Sequence, residues 1–285
     1  MEYNLALIAQ NLRNSATPIM IETLMEDLGI SYRFEILDVA PDDLECTIET
    51  ARNERNGLIV TMPHKQAAMQ YMDELDESAV KCGSCNVVQV NNGRLKGYNT
   101  DGIGLVAALA HFGHNISGAH VVMVGAGGVA SSITYNLARQ GASRVDVLNI
   151  IPEQAKSLCG QYPDLLFPHE LNDAKLEHCC LGADLFINAS ILGQVGYDDY
   201  QNLSFLKQLN PKAVVYDVNY HNTESKLIPA AADAGLYAYN GKSMNACQGP
   251  EIIEIFTGQR PSRDGLEKLM KIAEIIPKEK SKVAI

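Results

Sequence analysis

The stretch "VVMVGAGGVA", Val121 to Ala130, constrains the fold more than any other. Val121 to Val124 form an apolar run suited to a strand buried on both faces. Gly125-Ala126-Gly127-Gly128-Val129-Ala130 then opens a helix-like segment. The pattern is G-x-G-x-x-A: one glycine for the tight turn, one for close approach of a pyrophosphate, and a small residue where helix meets sheet. The helix amino terminus offers unpaired N–H groups to phosphates. Strand-like runs are expected at 120–124, 144–148, 184–188, 213–217 and 236–239, with helical patterns between most of them. That alternation implies a parallel sheet with right-handed crossovers, a Rossmann-type dinucleotide-binding domain.

The first hundred residues also alternate. Leu5 to Ala9, Tyr32 to Leu37 and Leu58 to Val60 read as strands. Thr17-Pro18 looks like an N-cap followed by proline at the first helical position, with Gly29 placed to end that helix. A second helix is expected over 42–54, and helical stretches follow the Leu58–Val60 strand to about Lys81. Val87 to Val90 and Arg94 to Tyr98 flank Asn91-Asn92-Gly93, a hairpin signal. Asp101 can cap a helix to about Phe112, and the final helices are expected over 243–256 and 265–275. The expected class is α/β, with a second α/β domain built from both chain ends. The proposed boundaries are 1–101 with 240–285, and 102–239.

At 285 residues, 46% hydrophobic and 20% charged, the chain is long enough for two cores and is not disordered. A net charge of −11 argues against nucleic acid or anionic membrane as partner. A local lysine or a few backbone amides still suit a small anionic substrate. The amino terminus lacks a secretion signal, so the cytoplasm is the expected location. Seven cysteines fit reduced thiols there. Cys82-Gly83-Ser84-Cys85 lacks a second pair for zinc, since Cys179 and Cys180 are adjacent and no nearby histidine supplies a finger pattern. No metal is expected.

The strand after the glycine turn should name the dinucleotide. It ends at Asn149, followed by Ile150-Ile151, with Arg144 at the wrong end. Asn149 can bond a ribose hydroxyl, and no cation is evident for a 2′-phosphate, which favours NAD over NADP. Lys65, in "VTMPHKQAAM", is the other feature to explain. Spacing alone gives a solvated lysine at a helix start. With a nicotinamide site in the same chain, it becomes a candidate to accept a hydroxyl proton as hydride leaves carbon.

The fragments "GLIVTMPHK", "CGSCNVV" and "GYNTDGIGL" precede "VGAGGVA", with "INAS", "YDVNY" and "NGKSMNACQG" after it. This ordered set, covering nearly the whole chain, resembles the shikimate/quinate dehydrogenase family. The resemblance implies that Lys65 is the catalytic lysine and Asp101 its partner acid. It places Ser15, Thr17, Thr61, Asn86, Tyr220 and Gln248 at substrate contacts. Val218 and Gly241 fall beside the nicotinamide, and Gly125, Ala126, Gly127, Gly128, Val129 and Asn149 hold the rest of an NAD or NADP cofactor. The substrate implied is a small anionic cyclic hydroxy acid, and the protein a monomer or homodimer.

Departures from the family pattern bear on specificity. Ile59 replaces an asparagine, Gly-Ser-Cys-Asn replaces Gly-Ala-Val-Asn, and Asn149-Ile150-Ile151 lacks the arginine of NADP-dependent members. Ser15-Ala-Thr17-Pro resembles quinate-accepting members. The leading expectation is reversible oxidation of shikimate to 3-dehydroshikimate, with quinate oxidation by NAD as its rival. A catalytically weak sensor that binds a dinucleotide or ring acid is the rival of another class. A folate-linked dehydrogenase explains neither Ser-x-Thr-Pro nor Asn-Thr-Asp.

Overall fold

The computed structural model describes residues 2–12, 15–219 and 225–275. They form two compact units, one of residues 1–104 together with Asn245 onward, the other of residues 105–244. No described helix is long and apolar enough to cross a membrane.

The first unit opens with β1 (Tyr3–Ala9), α1 (Thr17–Asp27), β2 (Tyr32–Asp38), α2 (Leu44–Glu54) and β3 (Gly57–Val60). A two-residue strand β4 (Glu74–Leu75), α3 (Glu77–Cys82), β5 (Val87–Asn91), β6 (Arg94–Tyr98) and α4 (Asp101–His111) follow. Its sheet runs β2-β1-β3-β5-β6-β4, with β2, β1 and β3 parallel, β5 antiparallel to both β3 and β6, and β4 parallel to β6. The hairpin turns at Asn92 and Gly93, both with positive φ, as a two-residue turn matched to strand twist requires. Leu5 to Ala9 are all buried, so β1 is a continuous apolar run between β2 and β3.

Two local expectations are corrected here. Ala16, not Thr17, is the N-cap residue of α1, with no side-chain cap bond; Thr17 is the first helical residue and its N–H donates to Ser15 Oγ. The segment after β3 is not a run of helix: residues 62–66 form turns containing a cis Met62–Pro63 bond, followed by a 3-10 stretch, Ala67–Tyr71. Lys65 therefore lies in a turn rather than at an α-helix start.

The second unit is built from β7 (His120–Val124), α5 (Gly128–Arg139), β8 (Arg144–Asn149), α6 (Pro152–Cys159), β9 (Leu166–Glu170) and α7 (Asp173–Cys179). β10 (Leu185–Asn188), β11 (Val214–Asp217), α8 (Leu227–Asp233) and β12 (Tyr237–Asn240) complete it. All neighbours in the order β12-β11-β10-β7-β8-β9 are parallel. Numbered from β7, the order is that of the doubly wound dinucleotide-binding sheet, with its switch point between β7 and β10. β9 is absent from the sequence-based expectation. Its sequence, LFPHE, offers little alternation, and Pro168 argues against a strand; the structure resolves this by placing it at the sheet edge. Helices α9 (Gly241–Thr257) and α10 (Arg263–Ile275) end the described chain.

One core cluster of the second unit joins Val122, Val124, Leu148, Phe186, Phe205 and Val215. Phe186, fully buried on β10, lies with its ring centroid 4.8 Å from that of Phe205. Phe186→Ala is expected to cost about 3–5 kcal/mol, read by denaturant unfolding; a loss under 1 kcal/mol would show that this ring does not anchor β10.

Candidate active site

In the first unit the turn after β3 and the start of α4 bring Lys65 and Asp101 together across 36 residues of sequence. Lys65 Nζ donates to Asp101 Oδ2 at 2.7 Å, and the two side chains are 26% and 15% exposed. The pair is sheltered yet reachable. Asn86 Nδ2 donates to the other carboxylate oxygen, Oδ1, at 2.9 Å, and to Thr100 Oγ1 at 3.0 Å. Thr100 N–H returns a bond to Asn86 Oδ1 at 2.8 Å. Asp101 sits at the first residue of α4, where its own N–H donates to Asn99 Oδ1 at 3.1 Å. Its carboxylate makes tertiary bonds rather than merely marking a helix start.

The other residues singled out in this part of the chain are placed as follows. Ser15 Oγ donates to Thr17 Oγ1 at 2.9 Å, so the two hydroxyls lie side by side. Gln248 accepts from Thr100 Oγ1 at 3.4 Å and donates to Asn245 at 2.8 Å. Thr61 N–H donates to Ile8 O at the end of β1. Ile59 is buried within β3, opposite Leu7 and Val87. Tyr220 lies outside the described residues. Cys82 and Cys85 are buried thiols; burial pushes Cys85 up to about 12, and its Sγ donates to Val87 O at 3.3 Å.

In the second unit the glycine turn follows β7. Gly125 has φ +110°, and a Cβ there would lie 2.5 Å from Ala189 O, so both conformation and space demand glycine. Gly127 and Gly128 are exposed, and a Cβ on either would meet nothing within 4 Å. Gly127 is the N-cap of α5 and supplies no side-chain cap, leaving backbone amides at the amino end of a 12-residue helix. Ala126 and Val129 are half-buried at its edges. This cradle fits a pyrophosphate.

Asn149 ends β8 and is buried. Its amide donates to Ile151 O at 3.1 Å and Gln154 Oε1 at 2.9 Å. What remains for a ribose is its carbonyl oxygen, an acceptor. Ile150 beside it is exposed. Gly241 opens α9 where a Cβ would overlap the Val218 carbonyl oxygen at 1.9 Å, so glycine is required for this approach. Val218 follows the last residue of β11 and is half-buried.

Several polar residues that the sequence reading passed over complete these arrangements. Asn99 and Thr100 precede Asp101 and position Asn86 and α4. Asn188 and Asp217 close β10 and β11 as Cα partners, and Asn188 Nδ2 donates to Asp217 Oδ1 at 3.0 Å. Their signal was present: a lone polar residue closing the apolar runs LFIN and VVYD. Burial pushes the Asp217 carboxyl up to about 6, outweighing the bonds it accepts from Asn219, Asn188 and Ser225.

These features define an α/β protein with a Rossmann-type unit. Two family models match the chain: one described as the shikimate dehydrogenase substrate binding domain, over residues 7–88, and one described as shikimate/quinate 5-dehydrogenase, over residues 107–195. The shikimate dehydrogenase (NADP(+)) of Alkaliphilus metalliredigens is 33% identical over 259 residues, spanning 89% of this chain and 91% of the relative. The structure of shikimate 5-dehydrogenase from Listeria monocytogenes in complex with shikimate and NAD matches with a TM-score of 0.85 at 26% identity, covering 94% of this chain and 96% of that one. Quinate dehydrogenase from Corynebacterium glutamicum in complex with NAD gives 0.82 at 26% identity, covering 95% and 98%. The chain belongs to the shikimate/quinate dehydrogenase family of oxidoreductases.

Because the folded pKa of Asp217 is raised, its contribution to stability is complete below the ordinary carboxylate pKa and is lost as pH rises through about 6. Asp217→Asn removes that loss. The variant should gain on the parent by on the order of 3 kcal/mol between pH 4 and 7, measured by urea unfolding across that range. Parallel stability curves would show that Asp217 ionises in the folded protein without penalty.

Proposed function

We propose that this protein is an NAD(P)-dependent dehydrogenase that reversibly oxidises shikimate to 3-dehydroshikimate, with Lys65 as the proton-transfer group. The observation that carries this reading is the 2.7 Å contact between Lys65 Nζ and Asp101 Oδ2, with Asn86 on the second oxygen. Two donors fix the carboxylate, which in turn fixes the lysine. A carboxylate has about four acceptor positions, so Asp101 can still accept a bond from a substrate hydroxyl.

The chemistry follows from that arrangement. A nicotinamide held beside Val218 and Gly241 would supply the hydride acceptor for the alcohol carbon. Lys65, as the amine, takes the hydroxyl proton; in the reductive direction its ammonium returns it. Asp101 orients both the hydroxyl and Nζ. Ser15 and Thr17, whose hydroxyls lie side by side, receive the ring carboxylate, while Thr61, Asn86 and Gln248 face the remaining hydroxyls. Tyr220 is assigned a substrate contact by sequence alone.

For the cofactor, the amides at Gly127 to Val129 hold the pyrophosphate and Val218 and Gly241 flank the nicotinamide. The segment Asn149-Ile150-Ile151 supplies an acceptor and two apolar side chains but no cation, which supports NAD, although relatives such as the Alkaliphilus enzyme carry NADP(+) in their names. Quinate is the second reading. It is supported by the Ser15-x-Thr17 pair and by the likeness to the Corynebacterium quinate dehydrogenase in complex with NAD.

The test is a rate matrix of shikimate and quinate, each with NAD and NADP, following nicotinamide reduction. The fastest combination is expected to be shikimate with NAD; quinate with NAD would transfer the reading to the second substrate. Silence in all four combinations, with dinucleotide binding intact, would replace the enzyme by a binding protein. Lys65→Ala should lower kcat by about a hundredfold or more in a folded variant. Near-parental turnover would remove the lysine from the proton path.

A further inference from the structure

A second group of reactive side chains lies in the 105–244 unit and has no part in the chemistry above. Register explains why it forms. Parallel pairing sets His120 beside Arg144, Asp146 beside Phe167 and His169 beside Leu148. Side chains alternate with period two along each strand, so His120, Arg144, Asp146 and His169 share one face of the sheet. Cys179, the last residue of α7, meets them there. Asn149 is odd in this alternation and belongs to the opposite face.

Asp146 is the centre of the group. Its side chain is 1% exposed, and Arg144 clasps it with Nε on Oδ2 at 2.7 Å and the terminal nitrogen on Oδ1 at 2.8 Å. His120 Nε2 also reaches Oδ2 at 2.7 Å, and His169 Nε2 reaches Oδ1 at 2.7 Å. The guanidinium alone would neutralise the carboxylate. Two imidazoles and a thiol are surplus to that need, and they are the donor types that borderline and soft metal ions prefer.

The geometry points to a binding site for a divalent transition ion of the zinc type, held by Asp146, His169 and Cys179. One ligand atom from each lies within 4.8 Å of the others. Bonds of about 2.0–2.3 Å around a tetrahedral ion need ligand atoms roughly 3.3–3.8 Å apart, which rotamer adjustment supplies. His120, on the far oxygen of Asp146, is placed to orient the carboxylate. An open cavity of about 340 Å³, lined by these residues and by Lys175, His178 and Leu181, gives an ion its entry path. Arg144, with 47% of its side chain exposed, can release one oxygen to the ion while retaining the other. The site would tie edge strand β9 to β8 and α7, which makes it a brace for the sheet edge rather than part of the redox site. Such a site carries no finger spacing in the sequence, because its partners come from two strands and a helix.

The experiment uses the full chain, stripped with chelator and titrated with Co²⁺ as a spectroscopic probe, then with Zn²⁺ in competition. One equivalent of Co²⁺ per chain should bind with a thiolate-to-cobalt charge-transfer band, and Zn²⁺ should displace it. Cys179→Ser should abolish the band, and His169→Gln should weaken binding by roughly tenfold or more. Because a core cysteine variant can misfold, a wild-type measurement stands beside it: Zn²⁺ should raise the Tm, and chelator should reverse the rise. Absence of saturable binding by the wild type would overturn the proposal. So would binding that both folded variants retain unchanged, or a cavity that takes up phosphate in place of the metal. Dehydrogenase turnover in the two variants should match the parent, which separates failure of this site from failure of the functional reading.

Discussion

Carboxylates drawn out of water must be partnered, and three of them, one half-buried and two buried, organise this protein. Asp101 meets an ammonium and an amide while staying within reach of solvent. Asp217 is buried among neutral donors, and burial wins, pushing its carboxyl up to about 6. Asp146 is buried as well, but the bonds from Arg144, His120 and His169 outweigh burial and hold it well below the usual carboxylate range. One side-chain type thus serves three purposes, and the difference lies in the charge and number of its partners.

The parallel sheet of the 105–244 unit sets where such groups gather. Register puts Val124, Asn188 and Asp217 level at the carboxyl ends of β7, β10 and β11. The glycine turn, the Asn188–Asp217 bond and the Val218 carbonyl therefore stand in one row along the sheet edge. Ala189 N–H donates to Val124 O and Val218 N–H to Asn188 O, carrying the ladder one step beyond the strands. The tolerances are tight there: Gly125 against Ala189 and Gly241 against Val218 leave no room for a Cβ. Binding residues placed this way inherit the rigidity of the ladder.

How much was legible in the sequence depended on the distance over which each feature is encoded. The glycine turn is local: an apolar run, three glycines and a helix start carry its fold and expose the backbone amides at the helix end. The Asn92-Gly93 hairpin and the continuous apolar strands are local too. Strand β9 was hidden because Pro168 and the polar residues of LFPHE suppress the alternation, and only an edge position accommodates them. Lys65 was misplaced at a helix start because Gln66 to Tyr71 have helical composition, whereas the chain makes turns and a 3-10 stretch. Asn99 and Thr100 carry no local sign of their contacts and serve as donors and acceptors around Asn86 and Asp101.

The sequence by itself determined the α/β class, the glycine turn between strand and helix, the excess of negative charge and, through the order of its motifs, the family. Those are properties of contiguous residues or of their sum. Tertiary structure alone decided which groups meet: Lys65 with Asp101, Asn188 with Asp217, and Asp146 with two histidines near Cys179. The reason is geometric. Hydrogen bonds and ion pairs act over a few ångströms, and the segments that supply them are brought into range only by strand register and by the turns that join the strands.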